Sequence, residues 1–194
     1  MVGPSKQFDR DEALGRALEV FWARGFEATS MQDLVDHMGI NRASMYDTFG
    51  NKHALFSQAV DWYAIQVLGD FARVLDAPGS PLGNIRRYFK AFQEQAHGPR
   101  HHGCFINNTA VELGPHDPEI AEKIRSVWRQ MEALFQTALD RAVRAGELGS
   151  NADTRALARL FNTTVQGLAV KGKAGVPPAQ LTDVVRTLFS LLQS

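Results

Sequence analysis

The stretch SMQDLVDHMGINRASMYDTFGNKHALF, residues 30–56, decides how this chain folds. Ser30 is a good N-cap, Asp33 stands where a capping-box partner belongs, and apolar residues follow at helical spacing. Gly39 ends that helix, and Asn41 is a good N-cap for a second short helix that runs to about Phe49. Two short helices joined by so tight a turn form a helix-turn-helix, at about residues 30–49, which is the layout of a module that reads DNA.

The second of these helices divides into an inner and an outer face. Met45 and Phe49 stand four residues apart and are expected to face inward with Ile40. Arg42 and Ser44 lie in the first turn, where a recognition helix presents side chains to base edges. The residues predicted to face outward are Arg42, Ala43, Ser44 and Asp47.

Phosphate contacts are expected beside the recognition helix. Tyr46 and Lys52 would reach the DNA backbone, and the helix that starts at Ser30 would offer backbone N–H groups to another phosphate. The predicted DNA-binding residues are Ser30, Asn41, Arg42, Ala43, Ser44, Tyr46, Asp47 and Lys52. Because the same two-helix unit also packs inside ordinary helical proteins, a helical interaction protein remains an alternative.

The whole chain predicts an all-α protein of about nine helices. Apolar residues recur at helical spacing, and no stretch alternates as a half-buried strand would. The predicted helices cover residues 10–24, 30–38, 42–49, 52–75, 82–95, 105–113, 118–145, 154–171 and 178–192, with a loop at 97–103. Gly25 suits a left-handed cap at the end of the first helix.

Composition limits the class of protein. The chain has 194 residues, 44% of them hydrophobic, which is enough to bury a core. One cysteine rules out an internal disulfide framework, and no apolar run approaches the length of a membrane helix. We therefore expect a soluble, cytoplasmic protein that does not contact membranes.

Residues 10–60 resemble the DNA-binding domain of TetR/AcrR-family transcriptional regulators. The matching segments are RGFEATSMQDL at residues 24–34 and GINRASMYDTFGNKHALF at residues 39–56. The resemblance implies a homodimeric, ligand-responsive repressor that binds a palindromic double-stranded DNA operator. It also implies a DNA-binding domain at residues 1–52 and a larger C-terminal domain at residues 53–194 for effector binding and dimerisation.

Charge in the DNA-binding part is unfavourable for tight binding by one copy. The whole chain is neutral, with 21 basic and 21 acidic residues, and residues 1–52 hold six basic against eight acidic ones, a formal charge of −2. Several of these acids lie in first turns of helices, where the helix dipole favours them. We therefore expect that two subunits must bind two half-sites together for tight binding to DNA.

The last two helices carry apolar stripes that suit a dimer interface, although both could also pack only within their own subunit. In relatives of the family, the corresponding helices form a four-helix bundle, and the resemblance implies the same here. The predicted interface residues are Leu157, Leu160, Phe161, Val165, Leu181, Val184, Leu188 and Leu192.

The middle helices are rich in aromatic residues that suit an apolar effector pocket, although filling the core is the more common role of such residues. The predicted lining residues are Trp62, Phe89, Phe92, Phe105, Asn108, Trp128, Met131, Phe135 and Phe161. Asn107, Asn108 and Glu112 are candidates for orienting a ligand, or for capping helices.

Cys104 follows two histidines at a helix start, where the dipole would favour a thiolate. It resembles the Gly-Cys pair of family members that sense oxidants or electrophiles, and a small buried core residue is the alternative. A metal site from His101, His102, Cys104 and His116 lacks a standard zinc spacing, so no metal is expected.

Enzyme activity is not expected, because the sequence holds no convergent catalytic set and no cofactor fingerprint. A small helical enzyme that uses the aromatic pocket with Glu112 and a nearby histidine remains an alternative.

Overall fold

A computed structural model describes residues 8–95 and 102–192, and this part of the chain contains nine α-helices and no strand. The predicted all-α class is confirmed. The helices are α1 (Arg10–Arg24), α2 (Met31–Met38), α3 (Arg42–Phe49), α4 (Lys52–Leu75), α5 (Pro81–Gln95), α6 (Phe105–Glu112), α7 (Pro118–Arg144), α8 (Thr154–Lys173) and α9 (Pro178–Ser190). Most of the predicted loop at 97–103 lies outside the described residues.

Local capping places the helix starts where the sequence predicts them. Asp9 caps α1, accepting hydrogen bonds from the backbone N–H groups of Asp11 and Glu12 at 2.8 and 3.0 Å. Ser30 and Asp33 form the predicted capping box at α2. The ends differ by a few residues: α8 continues to Lys173, and α9 stops at Ser190.

Helix α4 joins the two parts of the molecule. It packs against α1 in the N-terminal three-helix group and against α5, α6 and α7 in the rest of the chain. The larger part is built around α7, which also contacts α8, and α9 closes it against α5 and α8. None of the described helices combines the length and apolar character needed to cross a bilayer.

Candidate DNA interface and ligand cavity

The turn between α2 and α3 is fixed by one glycine and one asparagine. Gly39 adopts φ 70° and ψ 26°, the left-handed conformation that glycine reaches without strain. The side chain of Asn41 then accepts a hydrogen bond from the backbone N–H of Ser44 at 2.8 Å and starts α3. These residues hold the two helices in the helix-turn-helix arrangement.

The two faces of α3 lie as the sequence predicts. Met45 and Phe49 are fully buried, with 0% and 2% of their surface exposed. Arg42, Ala43 and Asp47 are exposed, Tyr46 is 46% exposed, and Ser44 is half-buried. Within the described ranges, Arg42 makes neither a hydrogen bond nor an ion pair, so its guanidinium is available to a partner outside the chain.

Ser30 is less available than the sequence suggested. Its backbone N–H and its hydroxyl both donate to the carboxylate of Asp33, at 2.9 and 2.6 Å, and its hydroxyl accepts from the N–H of Asp33 at 3.1 Å. The capping box therefore uses two of the N–H groups at this helix start. The N–H groups of Met31 and Gln32 have no partner in the described part of the chain.

Lys52 has contacts within the molecule. Its ammonium donates to the carbonyl of Thr29 at 2.9 Å and lies 4.3 Å from the centre of the Phe26 ring. These contacts tie the start of α4 to the loop between α1 and α2. The positive charge of Lys52 therefore lies next to the start of α2, and its side chain is partly buried.

Several acidic side chains of the N-terminal group form ion pairs with neighbouring basic side chains. Asp33 pairs with Arg24 at 2.5 Å, Glu12 with Arg16 at 2.6 Å, and Glu19 with His37 at 2.8 Å. Hydrogen bonds from the Ser30 hydroxyl and backbone, with Arg24 nearby, lower the pKa of Asp33 from 3.8 to about 2. Three of the eight acidic side chains in residues 1–52 thus face a basic neighbour, and the formal net charge of −2 remains.

A cavity of about 380 Å³ lies in the C-terminal part, and three of the predicted residues line it: Phe92, Trp128 and Met131. Its wall also includes Trp22 of α1, together with Tyr63, Phe71 and Tyr88, which the sequence analysis did not assign to the pocket. The complete lining is Trp22, Tyr63, Val67, Asp70, Phe71, Arg73, Val74, Tyr88, Ala91, Phe92, Gly103, Cys104, Ile106, Val127, Trp128, Met131, Val165, Gln166 and Ala169.

The other predicted lining residues lie elsewhere. Phe89, Phe135 and Phe161 pack on one another with ring centres 5.6–6.1 Å apart and are 0% exposed, so they fill the core. Phe105 is buried among Trp22, Phe56 and Tyr63. Trp62 lies against α1 at Gly15, and Asn108 faces a neighbouring groove. For these six residues the pocket prediction is corrected.

Cys104 lines the cavity at the start of α6, but its thiolate is not favoured. Burial raises the pKa of the Cys104 thiol, and this outweighs the opposing effect of the Asn107 and Ile106 backbone N–H groups and of the Tyr63 side chain. The helix dipole that the sequence suggested is present, yet desolvation dominates.

No metal site is formed by His, Cys, Asp and Glu side chains within the described ranges. His101 lies outside them.

Glu112 and Asn108 are engaged inside the protein. The carboxylate of Glu112 accepts the backbone N–H groups of Phe26 and Glu27, at 3.1 and 2.9 Å. Asn108 donates to the carbonyl of His102 and accepts from Lys173, at 2.8 and 3.0 Å. Asn107 is buried and donates to the carbonyl of Gln166 at 3.2 Å. These side chains therefore contact other helices and loops of the protein, where the sequence left ligand orientation and helix capping both open.

The contact of Glu112 explains the backbone at Gly25. This residue has φ 85° and ψ 176°, which is not the left-handed cap that the sequence predicted. A Cβ atom there would lie 2.7 Å from the Glu112 carboxylate. Because glycine has no Cβ, the chain can turn here so that the backbone N–H groups of Phe26 and Glu27 reach the Glu112 carboxylate at the end of α6.

Further contacts join the two parts of the molecule. At the other end of α6, the indole N–H of Trp22 donates to the carbonyl of Gly103 at 3.0 Å. His53 contacts the carboxylate of Asp117 at 2.6 Å, and the Ser57 hydroxyl donates to Glu119 at 2.8 Å. Both ends of α6 are thus fastened to α1 or to the loop that follows it.

The stripes on α8 and α9 separate into buried and exposed rows. Phe161, Val165, Leu181 and Leu188 are at most 5% exposed, because they pack inside their own subunit. For these four the interface prediction is corrected. Leu157 and Leu192 are half-buried, and Leu160 and Val184 are 43% and 39% exposed.

An exposed row of small and apolar residues runs along α8 with alternating spacings of four and three. The row consists of Ala156, Leu160, Thr163, Gly167, Val170 and Ala174. On α9, Val184, Thr187 and Leu191 repeat the same spacing. This period is typical of a helix seam that packs against another helix.

Two family models match the chain. Residues 13–59 match the bacterial regulatory proteins of the tetR family, and residues 81–188 match the tetracyclin repressor-like C-terminal domain. The first match contains α2 and α3, and the second contains most of the cavity-lining helices.

Known proteins resemble the chain over nearly its full length. The uncharacterised HTH-type transcriptional regulator YezE of Bacillus subtilis is 39% identical, over 98% of this chain and 100% of its own. The HTH-type transcriptional repressor ComR of Escherichia coli is 30% identical, over 97% and 91%. A cysteine mutant of the TetR family regulator CifR, solved with 26-base-pair operator DNA, superposes with a TM-score of 0.84 at 30% identity, covering 95% of this chain and 97% of its own.

Proposed function

Because this chain belongs to the TetR family of transcriptional regulators, we propose that it represses transcription as a homodimer that a small molecule releases from a palindromic operator. The chain is a DNA-binding transcriptional regulator whose partner is double-stranded DNA. Family members act as homodimers with small-molecule effectors. We propose that residues 1–52 bind DNA and that residues 53–194 bind the effector and the second subunit.

The observation that carries the DNA-binding site is the state of Arg42. In the described part of the chain it is exposed and unpaired in the first turn of α3, whereas Arg16 and Arg24 are neutralised by carboxylates. An arginine can donate two hydrogen bonds to a guanine edge, which is worth about 1–3 kcal/mol of discrimination. Arg42 would therefore read a base, with Ala43 and Ser44 nearest to it.

The remaining contacts would position α3 on the duplex. The exposed hydroxyl of Tyr46 can donate to a phosphate, and Lys52 supplies a positive charge beside the N-terminus of α2. The side chains of Asn41 and Ser30 cap their helices, so they would act by orienting backbone N–H groups. Asp47 would lie at the margin of the contact, where a carboxylate repels phosphate.

Dimerisation would use the exposed rows on α8 and α9. Leu160 and Val170 on α8, and Val184 on α9, are large apolar side chains that a second copy would cover. The small residues between them, Thr163 and Gly167, allow helices to approach closely. Leu157 and Leu192 would lie at the edge of the same interface.

The ligand would act through α6. This helix contributes Cys104 and Ile106 to the cavity wall, and Glu112 at its far end holds the loop before α2. Trp22 contributes to the cavity and also donates to Gly103. A ligand that displaces α6 or Trp22 would therefore shift α1 and the helix-turn-helix, favouring a spacing that does not fit the operator.

The cavity is proposed to bind its ligand without turnover, since the family is generally non-enzymatic. Its charged lining residues are Asp70 and Arg73, which pair with each other. A regulator of this type acts where the chromosome is, so we propose a cytoplasmic location.

The test is binding of the purified protein to fluorescent DNA from upstream of its own gene. We expect a shift that an unlabelled copy abolishes and that a shuffled sequence does not, and we expect Arg42→Ala to lose this preference. Equal binding of the upstream and shuffled sequences by the unaltered protein would refute sequence-specific regulation through this site.

A further inference from the structure

We propose that the cavity selects a small, uncharged molecule with an aromatic body and one hydrogen-bond acceptor, to which the hydroxyl of Tyr88 donates. This inference rests on the proposed effector role of the cavity and adds the chemical class of its ligand.

Size and wall chemistry define the body of the ligand. A volume of about 380 Å³ is at the small end of the range for ligand pockets, about 300–1,000 Å³. Six aromatic side chains contribute to the wall: Trp22, Tyr63, Phe71, Tyr88, Phe92 and Trp128. Most of the other lining residues are aliphatic. A flat apolar group of one or two rings is the body that such a wall surrounds best.

The charges on the described wall residues favour an uncharged ligand over an ionic one. Of the lining residues, only Asp70 and Arg73 carry a charge, and they form an ion pair one helical turn apart on α4. Their side chains are 72% and 74% exposed, so this pair lies at the surface end of the cavity. Among the described residues of the wall, a buried carboxylate or ammonium would find no opposite charge apart from this pair, and burying an unpaired charge is costly.

The polar side chains deeper in the wall are neutral. Burial raises the pKa of Tyr63, Tyr88 and Cys104, so all three are protonated at neutral pH. Tyr63 and Cys104 interact with each other. The side-chain amide nitrogen of Gln166 donates a hydrogen bond to the side-chain oxygen of Asn162 at 3.0 Å.

Two donors of the wall are left without an acceptor inside the described part of the protein. The hydroxyl of Tyr88 has no hydrogen-bond partner there. The buried indole N–H of Trp128 has none either. The indole N–H of Trp128 is sealed from solvent, whereas the hydroxyl of Tyr88 is not. A carbonyl, ether or hydroxyl oxygen on a ligand in the cavity can therefore reach the Tyr88 hydroxyl and accept from it.

The experiment compares four naphthalenes of one shape. 2-Acetylnaphthalene is neutral with an acceptor, 2-ethylnaphthalene is neutral without one, 2-naphthoate is an anion and 2-naphthylmethylammonium is a cation. Binding to the full-length protein at neutral pH is followed by quenching of tryptophan fluorescence, because Trp22 and Trp128 line the cavity, and is checked by calorimetry.

We expect the ketone to bind more tightly than either ion by about tenfold or more. Tyr88→Phe should weaken ketone binding about three- to tenfold, the effect of one neutral hydrogen bond, and leave 2-ethylnaphthalene binding unchanged. Circular dichroism verifies that the variant is folded, and the comparison of ions with ketone needs no variant.

Binding of 2-naphthoate or the ammonium as tight as that of the ketone would overturn the inference, as would equal weakening of ketone and hydrocarbon by Tyr88→Phe. Failure of all four probes to bind would also overturn it. Operator binding without any probe is measured on the same sample, so failure of DNA recognition is seen separately from failure of ligand selection.

Discussion

Three charged residues of the N-terminal part differ in the contacts that already hold them. Arg42 is exposed without a described partner, Lys52 is tied to Thr29 and Phe26, and Asp33 is held by Ser30 and Arg24. These differences give the three side chains separate expected roles in base reading, backbone contact and local stability.

Arg42→Ala should relax base preference at one position in each half-site. The free energy separating the preferred base from the others should fall by about 1–3 kcal/mol, because a bidentate contact to a base edge is lost. Competition by operators that carry single base changes measures this preference. Selectivity that survives the change would place another residue at the base edge.

Lys52→Ala should weaken all DNA sequences alike and reduce the slope of log affinity against log salt by about one unit. Its contacts with Thr29 and Phe26 add a second expected effect, a lower melting temperature. Lys52→Met keeps the apolar stem without the charge, so it should show the salt effect with less loss of stability. A loss confined to one sequence would contradict the phosphate role.

Asp33 links stability to pH. Its pKa is lowered from 3.8 to about 2 in the folded protein, so its contribution is present above pH 4 and disappears as the pH falls towards 2. Asp33→Asn should therefore melt below the unaltered protein at pH 7, and the difference should shrink on acidification. Asp36→Asn, in an exposed acid of the same helix, serves as the control. A difference independent of pH would show that Asp33 acts through packing alone.

At the scale of helices, local signals were predictable and distant contacts were not. Caps such as Asp9, Ser30 and Asn41 act on residues two or three positions away, so the sequence contains all that determines them. Glu112 accepts hydrogen bonds from backbone N–H groups 85 and 86 positions away, and no local sequence pattern predicts such a contact. Aromatic residues of the core and of the cavity also look alike in sequence, since only helix packing separates Phe89 from Phe92.

Glu112→Gln tests the link between α6 and the helix-turn-helix. Hydrogen exchange at the amides of Phe26 and Glu27 should become faster, because the carboxylate that accepts both is lost, while exchange in the middle of α7 stays unchanged. Glu122→Gln, at an exposed position of α7 where the carboxylate pairs with Arg125 and Arg129, is the matched control. Unchanged hydrogen exchange at residues 26 and 27 would show that Glu112 does not couple α6 to the helix-turn-helix.

For the whole molecule, function depends on a second copy. The N-terminal part carries a formal charge of −2, so the grip of one subunit on DNA is expected to be weak and sensitive to salt. The sequence predicted that α8 and α9 contact the second subunit. It could not tell which of their apolar residues face the core of their own subunit and which face outward. Leu188 faces its own core, whereas Leu160 and Val184 face outward.

Leu160→Glu should give monomers near 21.5 kDa by light scattering, where the unaltered protein should have twice that mass. Ile65→Glu, at an exposed apolar residue of α4, should remain dimeric. Leu188→Asp should instead unfold the subunit, because it places a charge in the core. A persistent Leu160→Glu dimer would move the interface away from α8.

The central claim is that two copies of α3 read a symmetric DNA site. Selection of bound sequences from a random double-stranded library tests it most directly, since the product reports DNA recognition, symmetry and spacing together. We expect an enriched palindrome whose half-sites lie about one helical turn apart, roughly 34–36 Å, or slightly more. Enrichment of no sequence, or of a single half-site without its inverted repeat, would contradict it.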